Sequence, residues 1–320
     1  MGEQVTTPMN ESSSLSQHLV LPGHLGNLTL EQEQALTIFK ENLIKANLYT
    51  PGGEGQEASH DDPTLLRFLR ARGFNPTAAQ KQFADSESWR KKHNVPKVYH
   101  ELTPEDMEHA QRFYPRWTGR RDKLGIPLFV YRLASLEAIQ HELDAVPAQS
   151  RYHRIVALYE WLIMFTFPLC SHVPRSIAPT PISSTTTIID LESVSFASLW
   201  RLRSHLQEAS KLSTANYPET LHAIAVVNSP SFFPTIWNWI KGWFDEGTRK
   251  KIHVLGRDPG STLLELVHAH DLPVTYGGEL EWTFESPPHL DEDIKKVVPE
   301  LPKGPAIFSD GTISKPPPPS

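Results

Sequence analysis

The sequence predicts an α/β protein with a small helical bundle in front of a sheet domain. Residues 29 to 113 carry apolar side chains at helical spacing throughout. After Arg116 the pattern changes to short runs of branched apolar residues separated by long amphipathic segments. Strands joined by helices of this length are usually parallel neighbours in one sheet.

Capping residues and breaks define the helices of the bundle. The segment LTLEQEQALTIFKENLIKANL carries one apolar stripe, made of Leu36, Phe39, Leu43 and Ile44. A glycine-rich break of about ten residues follows it. The next two helices each open with a capping residue and a proline, at Asp62 with Pro63 and at Asn75 with Pro76.

Four strands are predicted in the second half, at residues 127–133, 185–191, 222–230 and 251–256. The helix between the first two carries a stripe formed by Tyr152, Ile155, Val156, Tyr159, Leu162 and Ile163. The segment ASLWRLRSHLQEASKL is long enough for the next crossover. Residues 1–27 and the proline-rich residues 284–320 are expected to be disordered, which leaves domains at 28–115 and 116–283.

Composition limits the classes of function. The net charge of −6 argues against non-specific nucleic-acid binding. Cys170 is the only cysteine, and no apolar run approaches the roughly 20 residues of a membrane span. Because the N-terminus also lacks a signal-peptide pattern, we expect a cytoplasmic location. Gly2 and Thr6 match the loose spacing of an N-myristoylation signal, for which chance is the preferred explanation.

The sequence contains no catalytic motif of a familiar kind. The nucleophile elbow, the zinc-protease pair, the P-loop and the dinucleotide fingerprint are all absent. His268 and His270 suggest metal ligands, but their spacing puts them on different sides of a helix and no second cluster accompanies them. We therefore expect neither an enzyme nor a metal site.

Residues 232–251, FFPTIWNWIKGWFDEGTRKK, concentrate aromatic side chains on one short helix and end in a charged corner. Three of the eight tryptophans of the chain lie here. Tryptophan prefers the membrane–water interface, where its ring is in apolar surroundings and its N–H stays hydrated. A helix with Trp237, Ile240 and Phe244 on one face is suited to rest in a cavity mouth and to dip into lipid. A role as ordinary core residues is the alternative.

Four segments together resemble the CRAL-TRIO lipid-binding family: DDPTLLRFLRARGFNP, TTTIIDLES, HAIAVVNSPSFF with the aromatic stretch, and KIHVLG with LPVTYGGEL. The likeness runs in order from about Leu21 to Trp282 and is greatest to fungal secretory-pathway proteins that transfer phosphatidylinositol and phosphatidylcholine. It implies a helical CRAL-TRIO N-terminal domain and a lipid-binding domain whose mixed or parallel sheet floors an apolar cavity. It also implies a mobile gate helix with the side chains Phe233, Trp237, Trp239, Ile240, Trp243 and Phe244.

The resemblance places the phosphatidylinositol headgroup on Arg72, Glu208, Thr248 and Lys251. Such residue types suit the task, because a buried phosphate must be paired and residues three apart share a helical face. The possible second-lipid headgroup would contact Thr185, Thr187, Thr118 and Phe129. The family has tyrosines at the last two positions, where they surround choline. Losing those rings weakens a cation–π cage, which places phosphatidylcholine in doubt.

The expected function is transfer of phosphatidylinositol between cytosolic membrane faces by a monomeric carrier that is not an enzyme. No cofactor is expected beyond the bound phosphatidylinositol, and no nucleic acid. The resemblance adds a transient membrane surface, a phosphoinositide kinase as a candidate partner, and a peripheral location at Golgi or endosomal membranes. Two alternatives stay open: a carrier or sensor of a sterol or haem, and an interaction scaffold that uses the proline-rich tail.

Overall fold

Five helices form the N-terminal part of the computed structural model, which describes residues 21–243 and 246–318. Their bounds are α1 Leu30–Lys45, α2 Asp62–Arg70, α3 Pro76–Lys92, α4 Val95–Glu101 and α5 Pro104–Gln111. Asp61, one residue before the predicted cap, caps α2 because its carboxylate accepts the Thr64 amide at 2.9 Å. The predicted helical bundle is confirmed.

A mixed five-stranded sheet follows the bundle. Its strands are β1 Arg116–Arg121, β2 Pro127–Arg132, β3 Thr185–Asp190, β4 Leu221–Val227 and β5 Ile252–Val254. Spatial order equals chain order, β1 is antiparallel to β2, and the other neighbours are parallel. The α/β class and the four predicted strands are therefore confirmed. Sequence patterns miss β1 because RWTGRR has no alternation of branched apolar residues.

Helices cover the sheet and connect its strands. They are α6 Leu133–Ala145, α7 Ala148–Trp161, α8 Phe167–His172, α9 Phe196–Asn216, α10 Phe233–Ile240, α11 Glu246–Lys250 and α12 Gly260–Leu266. A π-helical turn, Leu162–Thr166, joins α7 to α8 directly before Pro168, which has no N–H for a regular helical bond. In the described part of the chain, Ala148–His172 alone is long and apolar enough to cross a membrane. Burial of 56% of its apolar window inside the fold is typical of a core helix.

The C-terminal segment is folded, contrary to the predicted disordered tail at 284–320. Its described residues, 284–318, contain helix α13 Glu292–Val297 and a hairpin of β6 Ile307–Ser309 and β7 Thr312–Ser314. Composition failed here because five apolar side chains of the segment reach one core, beside α8 and the π-helical turn. They are Leu290, Ile294, Val298, Ala306 and Phe308.

Two sets of backbone contacts hold this segment on the domain. The Tyr99 hydroxyl donates to the Ala306 carbonyl at 2.7 Å and accepts the Ala306 amide at 3.0 Å. At the outer edge of β1, the His289 amide donates to the Thr118 carbonyl at 2.7 Å. A Cβ at Gly119, whose φ is +87°, would lie 2.5 Å from the His289 carbonyl carbon, so this approach requires glycine. The segment thereby covers an otherwise open sheet edge.

A buried ion pair joins the helical bundle to the sheet domain. The carboxylate of Glu160 on α7 is buried and accepts two hydrogen bonds from Arg90 of α3, at 2.7 and 2.8 Å. The Tyr217 hydroxyl, after α9, donates to the same carboxylate at 2.6 Å. Burial disfavours the charged form of Arg90, but the adjacent Glu160 carboxylate raises the pKa of Arg90 above its ordinary value.

This pair predicts a specific pattern of stability. Removing one partner of a buried pair costs about 3–5 kcal/mol, because the other charge stays buried and uncompensated. Arg90→Met should therefore lower the free energy of unfolding by about that amount, whereas Arg90→Met with Glu160→Met should lower it much less. Urea unfolding measures both; a double variant that is no more stable than the single variant would contradict the assignment.

Candidate ligand-binding site

A large cavity opens between the sheet and the helices that cover it. Its volume is about 1250 Å³, above the roughly 300–1,000 Å³ of pockets for drug-sized ligands. Helices α7, α9 and α10 wall the cavity, and Leu301 and Pro302 of the C-terminal segment help to close it. Alternate residues of β2, β3 and β4 face inward and form the floor. They are Phe129, Tyr131, Thr185, Thr187, Ile189, Ile224 and Val226.

Burial keeps three titratable side chains of the cavity wall neutral. Burial raises the pKa of Tyr114 and of Tyr131 above the ordinary tyrosine value. Burial, with Arg151 nearby, lowers the pKa of His205 to about 4. These three side chains are therefore uncharged, and the mainly apolar floor beside them suits hydrocarbon better than a polar ligand.

A cluster of charged side chains lies at one end of the cavity, where β4 and β5 begin. The Lys251 ammonium donates to the Glu219 carboxylate at 2.8 Å, and the Arg70 guanidinium lies 3.9 Å from the same oxygen. Thr248 lines the cavity beside Lys251, whose amide donates to the Thr248 carbonyl at 3.1 Å. Two cations around one carboxylate leave a positive surplus that can pair with an anionic group.

His24 lies at this charged end. Residues 21–27, predicted as part of a disordered tail, are packed here, since the Arg70 guanidinium donates to the Gly23 carbonyl at 3.3 Å. Burial, followed by the charge of Arg70 and then the weaker effects of His222 and Lys251, lowers the pKa of His24 to about 3. Residues 1–20, with Gly2 and Thr6, lie outside the described residues.

The predicted headgroup residues separate into two groups in the fold. Thr248 and Lys251 lie together at the charged end, and Arg72 lines the rim, where its guanidinium donates to the Ala71 carbonyl. Glu208 is exposed on α9 and does not line the cavity. The carboxylate that contacts Lys251 is Glu219, in the turn before β4.

The contact between Glu219 and Lys251 could have been predicted from the sequence. Strands β4 and β5 are parallel neighbours, so the residues that precede them meet at one edge of the sheet. Glu219 precedes β4 and Lys251 directly precedes β5. Pairing the residues before neighbouring strands would therefore have found this contact, whereas the position of Glu208 within α9 could not reveal which way its side chain points.

The predicted second-headgroup residues also separate. Thr185 and Thr187 face the cavity with their hydroxyls 3.3 Å apart, and Phe129 lies beside Thr187 in the register of β2 and β3. Thr118 is fully buried, donates to the Leu128 carbonyl at 3.0 Å and does not line the cavity. Thr118 is thus the one residue of the four that lies outside the cavity lining.

Two tryptophans that sequence reasoning did not assign supply rings near the threonines. Trp117 pairs with Phe129 across β1 and β2, and its ring centroid lies 6.5 Å from that of Trp161 on α7. Both tryptophans line the cavity. The rings of Trp117, Trp161 and Phe129 therefore line the same cavity as the hydroxyl pair.

Helix α10, the predicted gate helix, forms part of the cavity wall and is called the gate helix. Phe233, Ile236, Trp239 and Ile240 all line the cavity; the first two are buried and Trp239 is half-exposed. Trp237 stacks on Phe233 at 6.4 Å between ring centroids and does not line the cavity. The gate side chain of Trp243 and the whole of Phe244 lie outside the described residues.

Cys170 and the pair His268 and His270 lie away from the cavity. Burial raises the pKa of the Cys170 thiol to about 12, so it stays protonated. His268 stacks on His270 at 5.4 Å between ring centroids, and His270 lies 3.2 Å from Asp271. Among the described residues, no group of three or more His, Cys, Asp or Glu side chains is arranged to hold a metal ion.

The chain belongs to the CRAL/TRIO family. The CRAL/TRIO domain matches residues 114–278, and the CRAL/TRIO N-terminal domain matches residues 35–85. A solved structure, that of Sfh5, aligns with a TM-score of 0.57 at 16% identity and covers 85% of this chain and 96% of that one, which shows the shared fold.

Curated relatives include fungal and plant proteins. The chain is 32% identical to the Sec14 cytosolic factor of Schizosaccharomyces pombe over 81% of its own length and 86% of that protein. It is 33% identical to the SEC14 cytosolic factor of Yarrowia lipolytica, over 80% of this chain. It is 31% identical to the phosphatidylinositol/phosphatidylcholine transfer protein SFH9 of Arabidopsis thaliana, over 89% of this chain. It spans 50% of the length of each of the last two.

Because the pKa of His24 is lowered in the folded protein, the stability of the protein should depend on pH. The folded-state pKa of about 3 lies below the ordinary 6.5, so the unfolded chain binds a proton that the folded chain does not. Stability should therefore fall as the pH drops, by about 2 kcal/mol between about pH 7 and about pH 5.

His24→Gln removes this titration and provides the comparison. The difference in the free energy of unfolding between the two pH values, from urea unfolding, should be smaller in the variant by about 2 kcal/mol. Equal differences in the protein and the variant would show that His24 is not buried in its neutral form.

Proposed function

We propose that the protein binds phosphatidylinositol in the cavity and transfers it between membranes, as a carrier and not as an enzyme. The observation that carries this proposal is the joining of a large apolar cavity to a cationic end. Moving two acyl chains of about 30 carbons into water costs on the order of 20 kcal/mol, at about 0.8 kcal/mol per methylene. A carrier must therefore offer the chains an apolar interior.

The charged end has the groups that a phosphoinositol headgroup needs. Lys251 supplies a charge for the phosphate, and Thr248 supplies a hydroxyl on the same side. Glu219 holds the Lys251 ammonium in place and can accept inositol hydroxyls. We therefore assign the headgroup to Thr248, Lys251 and Glu219, with Arg70 and Arg72 adding positive charge.

Names of relatives support the transfer function and its setting. One curated relative is named a phosphatidylinositol/phosphatidylcholine transfer protein, and others are named cytosolic factors. We infer a soluble monomer that visits the cytosolic faces of internal membranes, Golgi or endosomal, and offers its lipid to a phosphoinositide kinase. The gate helix provides the route by which the lipid leaves the cavity.

The headgroup assignment predicts selective loss of phosphatidylinositol transfer. Lys251→Ala removes the charge that pairs with the phosphate, and Thr248→Asp adds a like charge beside it. An unpaired buried phosphate costs several kcal/mol, so each variant should transfer phosphatidylinositol at least about a hundredfold more slowly. A vesicle-to-vesicle assay with labelled phosphatidylinositol measures the rate.

Lys250→Ala is the matched control, because this neighbouring lysine is largely exposed and pairs with Glu246 on α11. It should transfer at the rate of the unmodified protein. Full transfer by both headgroup variants would refute the site. An absorbance spectrum and native mass spectrum of the purified protein test the alternative ligands, since bound haem or sterol in place of phosphatidylinositol would overturn the proposal.

Phosphatidylcholine is the second ligand that a specific observation favours. The hydroxyls of Thr185 and Thr187 can donate to a phosphate, and the rings of Phe129, Trp117 and Trp161 can attract a quaternary ammonium group. Phenylalanine and tryptophan both serve in cation–π contacts, so the absence of tyrosine at Phe129 does not remove the cage. The objection to phosphatidylcholine based on residues 118 and 129 is thereby weakened.

Thr187→Val tests this second site with an isosteric change. A hydrogen bond to a charged group contributes about 1.5–3 kcal/mol, so phosphatidylcholine transfer should slow by about tenfold or more. Phosphatidylinositol transfer by the same variant is the internal control and should be unchanged. Parallel loss of both activities, or of neither, in the vesicle assay would argue against a separate choline site.

A further inference from the structure

Two polar side chains of the cavity wall lie in contact with each other. Tyr114 follows α5 and His205 lies within α9, and the centroids of their rings are 5.3 Å apart. The Tyr114 hydroxyl and both ring nitrogens of His205 are buried and have no hydrogen-bond partner among the described residues. Both side chains line the cavity. Together they are called the hydroxyl–imidazole pair.

Unpaired polar groups of this kind are uncommon inside proteins. The large majority of buried polar atoms are hydrogen-bonded, because burial without a partner leaves the cost of desolvation uncompensated. In the described part of the chain, Trp161 is the one further cavity-lining side chain with a buried polar atom, its Nε1, that lacks a partner. It packs in a different apolar cluster from Tyr114. The hydroxyl–imidazole pair is thus the place where two such side chains meet.

The polar groups around the pair are bonded elsewhere. The Tyr131 hydroxyl donates to the Phe113 carbonyl at 3.0 Å. Arg151, whose charge acts on both members of the pair, donates to the carbonyls of Leu143 and Val146 at 3.3 and 2.8 Å. A hydrogen-bond partner for the pair therefore has to come from a molecule held in the cavity.

The pair offers both a donor and an acceptor to such a molecule. Burial keeps His205 uncharged, so its imidazole has one N–H and one bare nitrogen, and the Tyr114 hydroxyl both donates and accepts. A hydroxyl group satisfies this arrangement, because it accepts one hydrogen bond and donates another. A carbonyl only accepts, and a carboxylate would bring an unpaired charge into apolar surroundings.

The pair lies far from the charged end of the cavity. About 17 Å of helix separates His205 from Asn216, the last residue of α9, at 1.5 Å per residue. Glu219 of the charged end follows shortly after Asn216. The apolar core cluster that contains the tyrosine of the pair includes Leu133 and Leu199, which also line the cavity. A lipid whose headgroup occupies the charged end therefore brings an acyl chain to the pair.

We propose that the hydroxyl–imidazole pair is a subsite for a hydroxyl group carried on an acyl chain of the bound phospholipid. The inference rests on the proposed function, because it takes the headgroup to lie at Lys251 and the chains to fill the cavity. In the core of a bilayer a mid-chain hydroxyl finds no water to bond, whereas in the cavity it accepts one hydrogen bond and donates another. The protein should therefore select hydroxylated chains from a membrane.

A phospholipid chain fits these observations better than a sterol does. A sterol also carries one hydroxyl on a hydrocarbon body, but it has no anionic group to pair with Lys251 at the charged end. A phospholipid with a hydroxylated chain satisfies both ends of the cavity at the same time.

Competition between two forms of phosphatidylinositol tests the subsite. The protein is incubated with phosphatidylcholine vesicles that contain the two forms in equal amounts. One form has saturated acyl chains, and the other has the same chains with one hydroxyl near the middle of one of them. Mass spectrometry of the extracted lipid gives the ratio bound. Two neutral hydrogen bonds should enrich the hydroxylated form by about tenfold.

Tyr114→Phe and His205→Phe should each abolish most of this enrichment, because each breaks the pair and keeps an aromatic ring. The total phosphatidylinositol bound should not fall, since neither residue belongs to the charged end. Tyr159→Phe is the matched control: it removes the hydroxyl of another tyrosine that lines the cavity and should keep the enrichment. Thermal unfolding verifies each fold, and Tyr114→Phe, which removes a single oxygen atom, decides the question if His205→Phe does not fold.

Equal binding of the two forms by the unmodified protein would overturn the inference, and so would full enrichment in both variants. Cholesterol that displaces the hydroxylated form from the unmodified protein but not from His205→Phe would also overturn it, because the subsite would then bind a sterol hydroxyl. The two proposals fail separately: a protein that binds both forms equally loses only the inference, whereas one that binds neither form loses the proposed function as well.

Discussion

The buried carboxylate of Glu160 is the interaction on which the geometry of the cavity depends. It ties α3, through Arg90, to the end of α9, through the Tyr217 hydroxyl. Tyr217 stacks on Tyr159 with 4.7 Å between ring centroids, and both rings line the cavity. Glu219 follows two residues later at the charged end. Because a buried charge tolerates only arrangements that satisfy it, this pair fixes the cavity wall at Tyr217 and the position of Glu219 together.

The position of the charged cluster at one end of the cavity follows from the sheet. Strands β3, β4 and β5 run parallel, so the residues at their beginnings gather at one edge. Thr185, Glu219 and Lys251 all lie at that edge, while strand interiors supply apolar floor residues. Open parallel sheets usually bind ligands at the carboxyl ends of their strands, whereas here the charged groups lie at the amino ends.

The C-terminal segment is as much a part of the lipid-binding domain as the sheet. It covers the edge of β1, shares an apolar core with α8, and places Leu301 and Pro302 in the cavity wall. A truncation that removes it would expose that core and open the cavity. Loss of activity after such a truncation would therefore not distinguish a scaffold from a carrier.

The sequence by itself determined the α/β class, the helical bundle and four strands, because helical and strand periodicities are local properties of the chain. It also predicts that Thr248 and Lys251 lie together, since they are close in sequence. Only the tertiary structure showed that Glu219 contacts Lys251 and that Glu208 and Thr118 do not line the cavity, because side-chain direction depends on helix rotation and strand register. The tertiary structure also showed that the C-terminal segment is folded. The scattered apolar residues of this segment stabilise the chain only after a distant part of the fold provides a core for them.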